Sequence, residues 1–251
     1  QLKYFPNWLR YGITMINIGF FIFFVSLMCV HLATQPSAET CSGRFTKEVW
    51  GGCKVTVPFC QDIFAAKCDC AVLEMKNYSQ SALPESFGGL KSLLKLGVYT
   101  GALQQLPQEI GDNHARLNVL AVVGNKLRSL PDSVGNLKNL IGLEVGNNQL
   151  RSLPDSVGNL KILGILSVYN NQLRTLPDSV GNLKNLLDLY VYNNQLRSLP
   201  DSVGNLKNLL NLCVFNNQLQ SLPGSVGDLK NLLNLYVYNN QLRSLPDSVG
   251  N

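Results

Sequence analysis

Leucine recurs through the C-terminal two thirds of the chain in a pattern that predicts a repeat. The pair Leu-Pro marks each copy and begins at Leu83, Leu106, Leu130, Leu153, Leu176, Leu199, Leu222 and Leu245. Successive pairs are 23 residues apart, except that 24 residues separate Leu106 from Leu130. A fixed period of this length is typical of architectures in which one structural unit is stacked many times.

The copy at residues 199–221 shows which elements one unit contains. Leu212 and Val214 flank Cys213, and this alternation predicts a short strand with both apolar side chains turned inward. From Asp201 to Leu209 the apolar residues are three apart, which predicts a short helix or 3₁₀ turn, with Asp201 as an N-terminal cap. One strand and one turn cannot bury an apolar face alone, so we expect the copies to stack.

The pattern L-P-x-x-x-x-x-L-x-x-L-x-x-L-x-L-x-x-N-x-L resembles the 23-residue leucine-rich repeat, over about residues 71–251. Among its subclasses it is most similar to that of intracellular Ras-group and Ras-suppressor-like scaffolds. The resemblance implies an α/β solenoid of about seven full repeats, a horseshoe with a concave parallel β-sheet and short convex helices. It also implies an inward ladder formed by Asn125, Asn148, Asn171, Asn194, Asn217 and Asn240, with Tyr78 and Gly101 in place of Asn in the first two copies.

Members of this family usually bind partners on the concave face, and alternation assigns the side chains that point there. In the last repeats we expect these to be exposed aromatic residues beside asparagines, a combination that protein interfaces favour. The predicted ligand-binding residues are Tyr169, Tyr190, Tyr192, Cys213, Phe215, Tyr236, Tyr238, Asn170, Asn193, Asn216 and Asn239. The alternative is that duplication copied a ladder of like side chains that stabilises the sheet.

An uncharged apolar run near the N-terminus predicts a transmembrane helix at residues 11–33. Lys3 and Arg10 precede it, whereas no Lys or Arg follows until Arg44, so residues 1–10 are expected in the cytosol and the repeats outside or in a lumen. A cleaved signal peptide and a buried soluble helix are the alternatives. The chain starts at Gln1 and ends within a repeat at Asn251, so we expect a longer protein.

A cysteine-rich segment at residues 34–70 separates this helix from the repeats, and solenoids need such terminal caps. The disulfide candidates are Cys41, Cys53, Cys60, Cys68 and Cys70, which leaves 15 ways of forming two bonds. A zinc site is disfavoured, since the cluster has no C-x-x-C pair and no His. Asn77-Tyr78-Ser79 is a glycosylation sequon and gains weight from the expected outside location.

Composition and charge narrow the classes of function. Charged residues make up 15% of the chain, below the usual quarter or so, and the net charge of +5 is too dilute for a nucleic-acid binder. The two histidines, His31 and His114, have no nucleophile nearby in the pattern, and no phosphate-binding glycine loop is present. We therefore expect no catalytic residues, no cofactor and no metal.

Three functions fit these observations. The first is a receptor-like module of a membrane protein, active in signal transduction, which binds a protein or peptide ligand on the concave face. The second is an intracellular signalling scaffold with a reduced cysteine cluster. The third is a structural or adhesive repeat protein that self-associates.

Overall fold

The computed structural model describes residues 54–56 and 72–249, in which a single sheet runs along the stacked repeats. Its strands are β1 (Lys54–Thr56), β2 (Val72–Lys76), β3 (Lys95–Tyr99), β4 (Val119–Val123), β5 (Gly142–Glu144), β6 (Ile165–Ser167), β7 (Asp188–Tyr190), β8 (Asn211–Cys213) and β9 (Asn234–Tyr236). Each strand pairs with the next in sequence, and β2 to β9 are parallel. The predicted parallel sheet of short strands is confirmed.

The other side of each repeat is a short helix. Six of these are 3₁₀ helices, at Glu85–Gly89, Asp132–Asn136, Asp155–Asn159, Asp178–Asn182, Asp201–Asn205 and Gly224–Asp228, and one is an α-helix at Ile110–Asn113. Leucine and valine side chains from strands and turns fill the space between the two layers in one continuous core. Leu212 and Val214 lie fully buried in it, as their alternation around Cys213 predicts.

Proline starts the 3₁₀ helices, which corrects the capping role expected for Asp201. Pro200 occupies the N-cap position with φ −68° and ψ 148°, and no side chain caps this helix. Because the proline ring already fixes φ near this value, the chain enters the turn preorganised. Asp201 is instead the first helical residue. Its negative charge interacts favourably with the positive N-terminal end of the helix dipole, but its side chain does not cap the helix. The helix ends at Asn205, earlier than the apolar spacing up to Leu209 indicates.

The 24-residue repeat takes up its extra residue in the helix. At Ile110–Asn113 the amide of His114 donates to the carbonyl of Ile110, so this turn is α-helical, with more residues per turn than a 3₁₀ helix. His114 then replaces the buried leucine of the other copies. Its ring stacks on Phe87 at 4.3 Å and its Nε2 lies 3.1 Å from the Phe87 carbonyl oxygen. Burial lowers the His114 pKa, so the ring is neutral in the core.

Strand β1 is antiparallel to β2 and covers the N-terminal edge of the parallel sheet. An edge strand left open is a template for aggregation, so this pairing has a protective role. The predicted transmembrane helix at residues 11–33 and the five cysteines of the cap lie outside the described residues. Among the residues that are described, no helix is long and apolar enough to cross a bilayer.

Candidate functional site

The inward asparagines fasten each repeat to the one before it. The Asn194 Oδ1 accepts from the backbone amide of Leu173, and its Nδ2 donates to the carbonyl oxygen of Val168, both in the preceding repeat. The same Nδ2 also donates to Val191 and Tyr192 of its own repeat. Equivalent bonds form at Asn125, Asn148, Asn171, Asn217 and Asn240. Buried backbone groups that the turn leaves unpaired are thereby satisfied.

The residue before each inward asparagine has a left-handed backbone, and in the later repeats it is a second asparagine whose side chain points outward. Thr100 and Gly124 occupy this position in two earlier repeats, and the asparagines of the later repeats have φ of 50–54°. Asn tolerates this conformation better than other residues with a side chain. From Asn170 onward each Nδ2 donates to the Oδ1 of the preceding copy, whereas the Asn147 Nδ2 donates to the Tyr169 hydroxyl at 3.4 Å. These residues, which we call the outer Asn ladder, are Asn147, Asn170, Asn193, Asn216 and Asn239.

Four aromatic rings stack face to face on the outer surface of the sheet. We call them the aromatic column: Tyr169, Tyr192, Phe215 and Tyr238. Successive ring centroids are 4.9, 4.5 and 4.5 Å apart, with interplanar angles of 8–12°. These separations match the spacing of about 4.8 Å between neighbouring strands, so identical positions in the repeats bring the rings into contact.

Stacking buries most of this column, which corrects the expectation that its rings are exposed. Tyr169, Tyr192 and Phe215 are 8–9% exposed, whereas Tyr238 is 52% exposed. The faces of the inner rings are covered by their neighbours, so a ligand meets only their edges. At the N-terminal end the Tyr169 ring lies across Gly146, where a Cβ would stand 2.5 Å from the Tyr169 Cζ.

The neighbouring column contains Tyr190, Cys213 and Tyr236 in strand register, and Tyr190 and Cys213 pack against the stacked rings. Tyr190 is half-buried and its side chain hydrogen-bonds to Asp188, which also accepts from the Asn211 Nδ2 at 2.5 Å. Burial, with the charge of Asp188, raises the pKa of the Cys213 thiol to about 12, so Cys213 is protonated and unreactive. Tyr236 is 46% exposed. All eleven predicted ligand-binding residues therefore lie side by side on the outer surface of the sheet.

One residue of this surface, Glu144, was not predicted as a site residue. It is half-buried in β5, and burial raises its pKa. Two ion pairs lie among the described residues, Lys95–Glu74 at 2.7 Å and Lys207–Asp228 at 3.9 Å, and neither includes Glu144. The sequence signal was available: Glu144 is the only carboxylate of its column between Gly97 and Tyr236.

Asn77 of the sequon lies at the exposed end of β2, in a left-handed conformation with φ 58°. Its Oδ1 accepts a hydrogen bond of 3.0 Å from the Thr100 hydroxyl. The described residues contain no group of three or more His, Cys, Asp or Glu side chains that would hold a metal ion.

Comparison with known proteins identifies the repeat. Residues 143–218 match the family model described as "Leucine-rich repeat region". No curated protein matches the chain. Solved leucine-rich-repeat structures do match it, so the solenoid expected from the sequence is confirmed at the level of the fold.

Three of the similar structures illustrate the range. An LRR protein of Leptospira interrogans is 33% identical, with a TM-score of 0.67, over 70% of this chain and 45% of that one. The Arabidopsis receptor kinase HAESA, solved with the peptide hormone IDA and the co-receptor SERK1, is 25% identical, with a TM-score of 0.64, over 74% of this chain and 37% of that one. YopM, a leucine-rich effector protein from Yersinia pestis, is 32% identical, with a TM-score of 0.54, over 70% and 51%.

This chain spans about half the length of these proteins or less. The leucine-rich-repeat parts of these proteins are non-enzymatic protein-interaction modules, which agrees with the expectation that the described repeats are not an enzyme.

Proposed function

We propose that this chain is the ligand-binding repeat module of a membrane protein and recognises a protein or peptide on the outer surface of its sheet. The observation that carries the proposal is the aromatic column, with Tyr190 and Tyr236 on one side and the outer Asn ladder on the other. Ring edges and amides in fixed positions combine apolar contact with hydrogen bonding, as interface hot spots do.

Rigidity supports the same function. The inward asparagines satisfy the backbone, and the rings hold one another in place, so little conformational entropy is lost when a ligand binds. Similar structures support it as well, since HAESA is solved with a peptide hormone and a second Arabidopsis receptor kinase ectodomain is solved with Casparian strip integrity factor 2.

Membrane attachment is part of the proposal. We place a spanning helix at residues 11–33, a disulfide-bonded cap at 34–70 and the repeats at 71–251 in an extracellular or lumenal compartment, where Asn77 is glycosylated. The charge asymmetry around the apolar run and the likeness to receptor ectodomains support this topology. The repeat subclass, by contrast, favours the intracellular scaffold, which is the second candidate.

The ligand-binding surface is tested with a random peptide library displayed on phage and selected against the full chain in detergent. We expect the selected peptides to bind the double variant Tyr190→Ala/Tyr236→Ala at least about tenfold more weakly, because truncating an aromatic hot spot costs more than about 1 kcal/mol. These two side chains are chosen because they belong to the neighbouring column, so neither substitution removes one of the four stacked rings.

The matched control is Asn182→Ala/Asn205→Ala, two exposed residues at the ends of 3₁₀ helices on the opposite side of the core. We expect it to bind the peptides as the wild type does. Equal binding to both double variants would place the ligand elsewhere and refute the proposed surface. Selection of no peptide, together with self-association of the chain, would favour the adhesive protein.

Topology is tested by counting free thiols in the denatured chain without reductant. In an oxidised cap we expect three of the seven cysteines to react, namely Cys29, Cys213 and one member of the cap. Denaturation is needed because Cys213 is 7% exposed and its thiol is protonated in the folded protein. Reaction of all seven would indicate a reducing compartment and the signalling scaffold.

A further inference from the structure

Glu144 has small residues directly beside it, both on its own strand and on the two adjacent strands. Ala121 and Ser167 are its partners on the adjacent strands, and Gly142 and Gly146 flank it along its own strand. In the last repeats the same surface is filled by tyrosines. None of these neighbours is a cation, and no hydrogen bond joins the Ser167 hydroxyl to the carboxylate among the described residues.

Two tyrosine rings flank this patch. The Tyr169 ring lies across Gly146 on the C-terminal side. On the N-terminal side the Tyr99 ring covers Gly97, where a Cβ would stand 2.6 Å from the Tyr99 Cε2. In the strand register Gly146 follows Glu144 by two residues on the same side of the sheet, and Gly97 lies two strands before Glu144, with Ala121 between them. Glu144 thus lies between the two positions that the rings cover.

The carboxylate has no direct partner within the described stretch of the chain, in contrast to the other two acids of this surface. Glu74 pairs with Lys95 at 2.7 Å. Asp188 accepts from Asn211 and hydrogen-bonds with Tyr190. Lys95 also acts on Glu144 through its charge, but its ammonium group is in contact with Glu74. A half-buried carboxylate without a hydrogen-bond donor raises the free energy of the ligand-free protein. A ligand that supplies the donor removes this cost and therefore binds more tightly.

We propose that Glu144, with the rings of Tyr99 and Tyr169, binds a cationic side chain, an arginine, of the protein or peptide ligand. The guanidinium group donates two parallel hydrogen bonds to a carboxylate and stacks on aromatic faces, which an ammonium group does less well. The identity of the molecule that carries the arginine rests on the proposed function. The cation site itself rests only on Glu144 and its neighbours.

The protonation state of Glu144 gives the site a pH dependence of known sign. Only the carboxylate form binds a cation, and burial raises its pKa, so arginine binding strengthens as the pH rises through that raised value. In the empty protein the effect on stability is opposite. The pKa of Glu144 is higher in the folded protein than in the unfolded chain. This difference stabilises the fold fully at pH values below the unfolded-state pKa, and the stabilisation is lost as the pH rises through the folded-state pKa.

The test uses N-acetyl-arginine amide as the probe and N-acetyl-citrulline amide, its uncharged isostere, as the comparison. Binding to the full chain in detergent is followed by ligand-observed saturation-transfer NMR. We expect millimolar binding of the arginine probe only, weakened about fivefold in Glu144→Gln, since a partly exposed ion pair contributes up to about 1 kcal/mol, which corresponds to that factor. Asp188→Asn removes a charge from the same surface without touching Glu144, and we expect it to bind the probe nearly as the wild type does.

Equal binding of the two probes, or unchanged binding in Glu144→Gln, would overturn the inference. A folding defect does not confuse the result, because Gln keeps the volume and removes an unpaired buried charge, so the variant should melt no lower than the wild type at pH 7. The peptide selection separates the two proposals. Peptides that need Tyr190 and Tyr236 but bind Glu144→Gln normally would leave the proposed function standing and remove the arginine site.

Discussion

The variant Gly204→Ala is expected to melt about 10 °C below the wild type. A Cβ at this position would stand 2.5 Å from the Ser225 carbonyl oxygen and 2.6 Å from the Ser225 Cβ, both in the next repeat. These atoms belong to neighbouring 3₁₀ helices, so relief requires the two repeats to separate. Overpacking of this kind costs about 3 kcal/mol, and 1 kcal/mol lowers the Tm of a domain this size by roughly 2–4 °C.

Gly224→Ala is the matched control, since Gly224 lies in the next 3₁₀ helix and a Cβ added there would meet no atom within 4 Å. Its backbone is compatible with alanine, so we expect no loss and a gain of up to about 1 kcal/mol from the less flexible unfolded chain. Far-UV circular dichroism of the full chain in detergent measures both melts. Equal shifts in the two variants would show that the close approach of neighbouring repeats is not what requires glycine.

The same contact explains why glycine recurs at this position of the repeat. Five other glycines face a serine of the following copy at a comparably short distance: Gly111, Gly135, Gly158, Gly181 and Gly227. The sequence shows these glycines only as residues that recur at repeat spacing. The distance to the next copy depends on how tightly the 3₁₀ helices stack, and that spacing is not contained in the residues of one repeat.

The local sequence pattern predicts the strands and turns of each repeat, but it does not predict which side chains on the sheet surface are buried. The alternation around Cys213 predicts a strand because side chains on a strand have a period of two, and the three-residue spacing after Asp201 predicts a 3₁₀ turn for a similar reason. Burial of Tyr192, by contrast, comes from rings one repeat before and after it. Alternation assigns the side of the sheet to which Tyr192 points but does not show that stacking covers the ring.

Glu144 was not predicted as a site residue for the same reason. Glu144 and Asp188 have the same chemistry in the sequence, yet Asp188 accepts from Asn211 in the next repeat and Glu144 accepts from no described residue. The difference depends on which side chains the adjacent copies place within reach. A deviation from the repeat pattern, such as the Gly and Ala residues around Glu144, therefore changes which contacts a side chain of the surface can make.

The variant Asn194→Ala should lose about 4 kcal/mol of stability and melt about 12 °C lower. Without the side chain, the Leu173 amide loses its acceptor at 3.0 Å, and the Val168 carbonyl loses one of two donors and keeps the Nδ2 of Asn171. Both lost bonds are buried; the amide left unsatisfied costs about 1–3 kcal/mol, and the loss of the other bonds of Asn194 adds about 1 kcal/mol each. The alanine methyl is too small to fill the vacated space, and Asn194 is only 9% exposed, so water does not replace the amide without disturbing the repeat.

The adjacent residue provides the control, because Asn193 has the same side chain in a different role. Asn193→Gly removes outer-ladder bonds to Asn170 and Asn216 that water can replace, and glycine adopts the φ of 54° without strain. We expect a loss of less than about 1 kcal/mol, since near-surface hydrogen bonds contribute little net stability. If both variants melted alike, the two asparagines would act as one polar network, and the inward ladder would not by itself fasten the repeats. If only Asn194→Ala melts early, the inner ladder joins the repeats and the outer ladder contributes little to their stability.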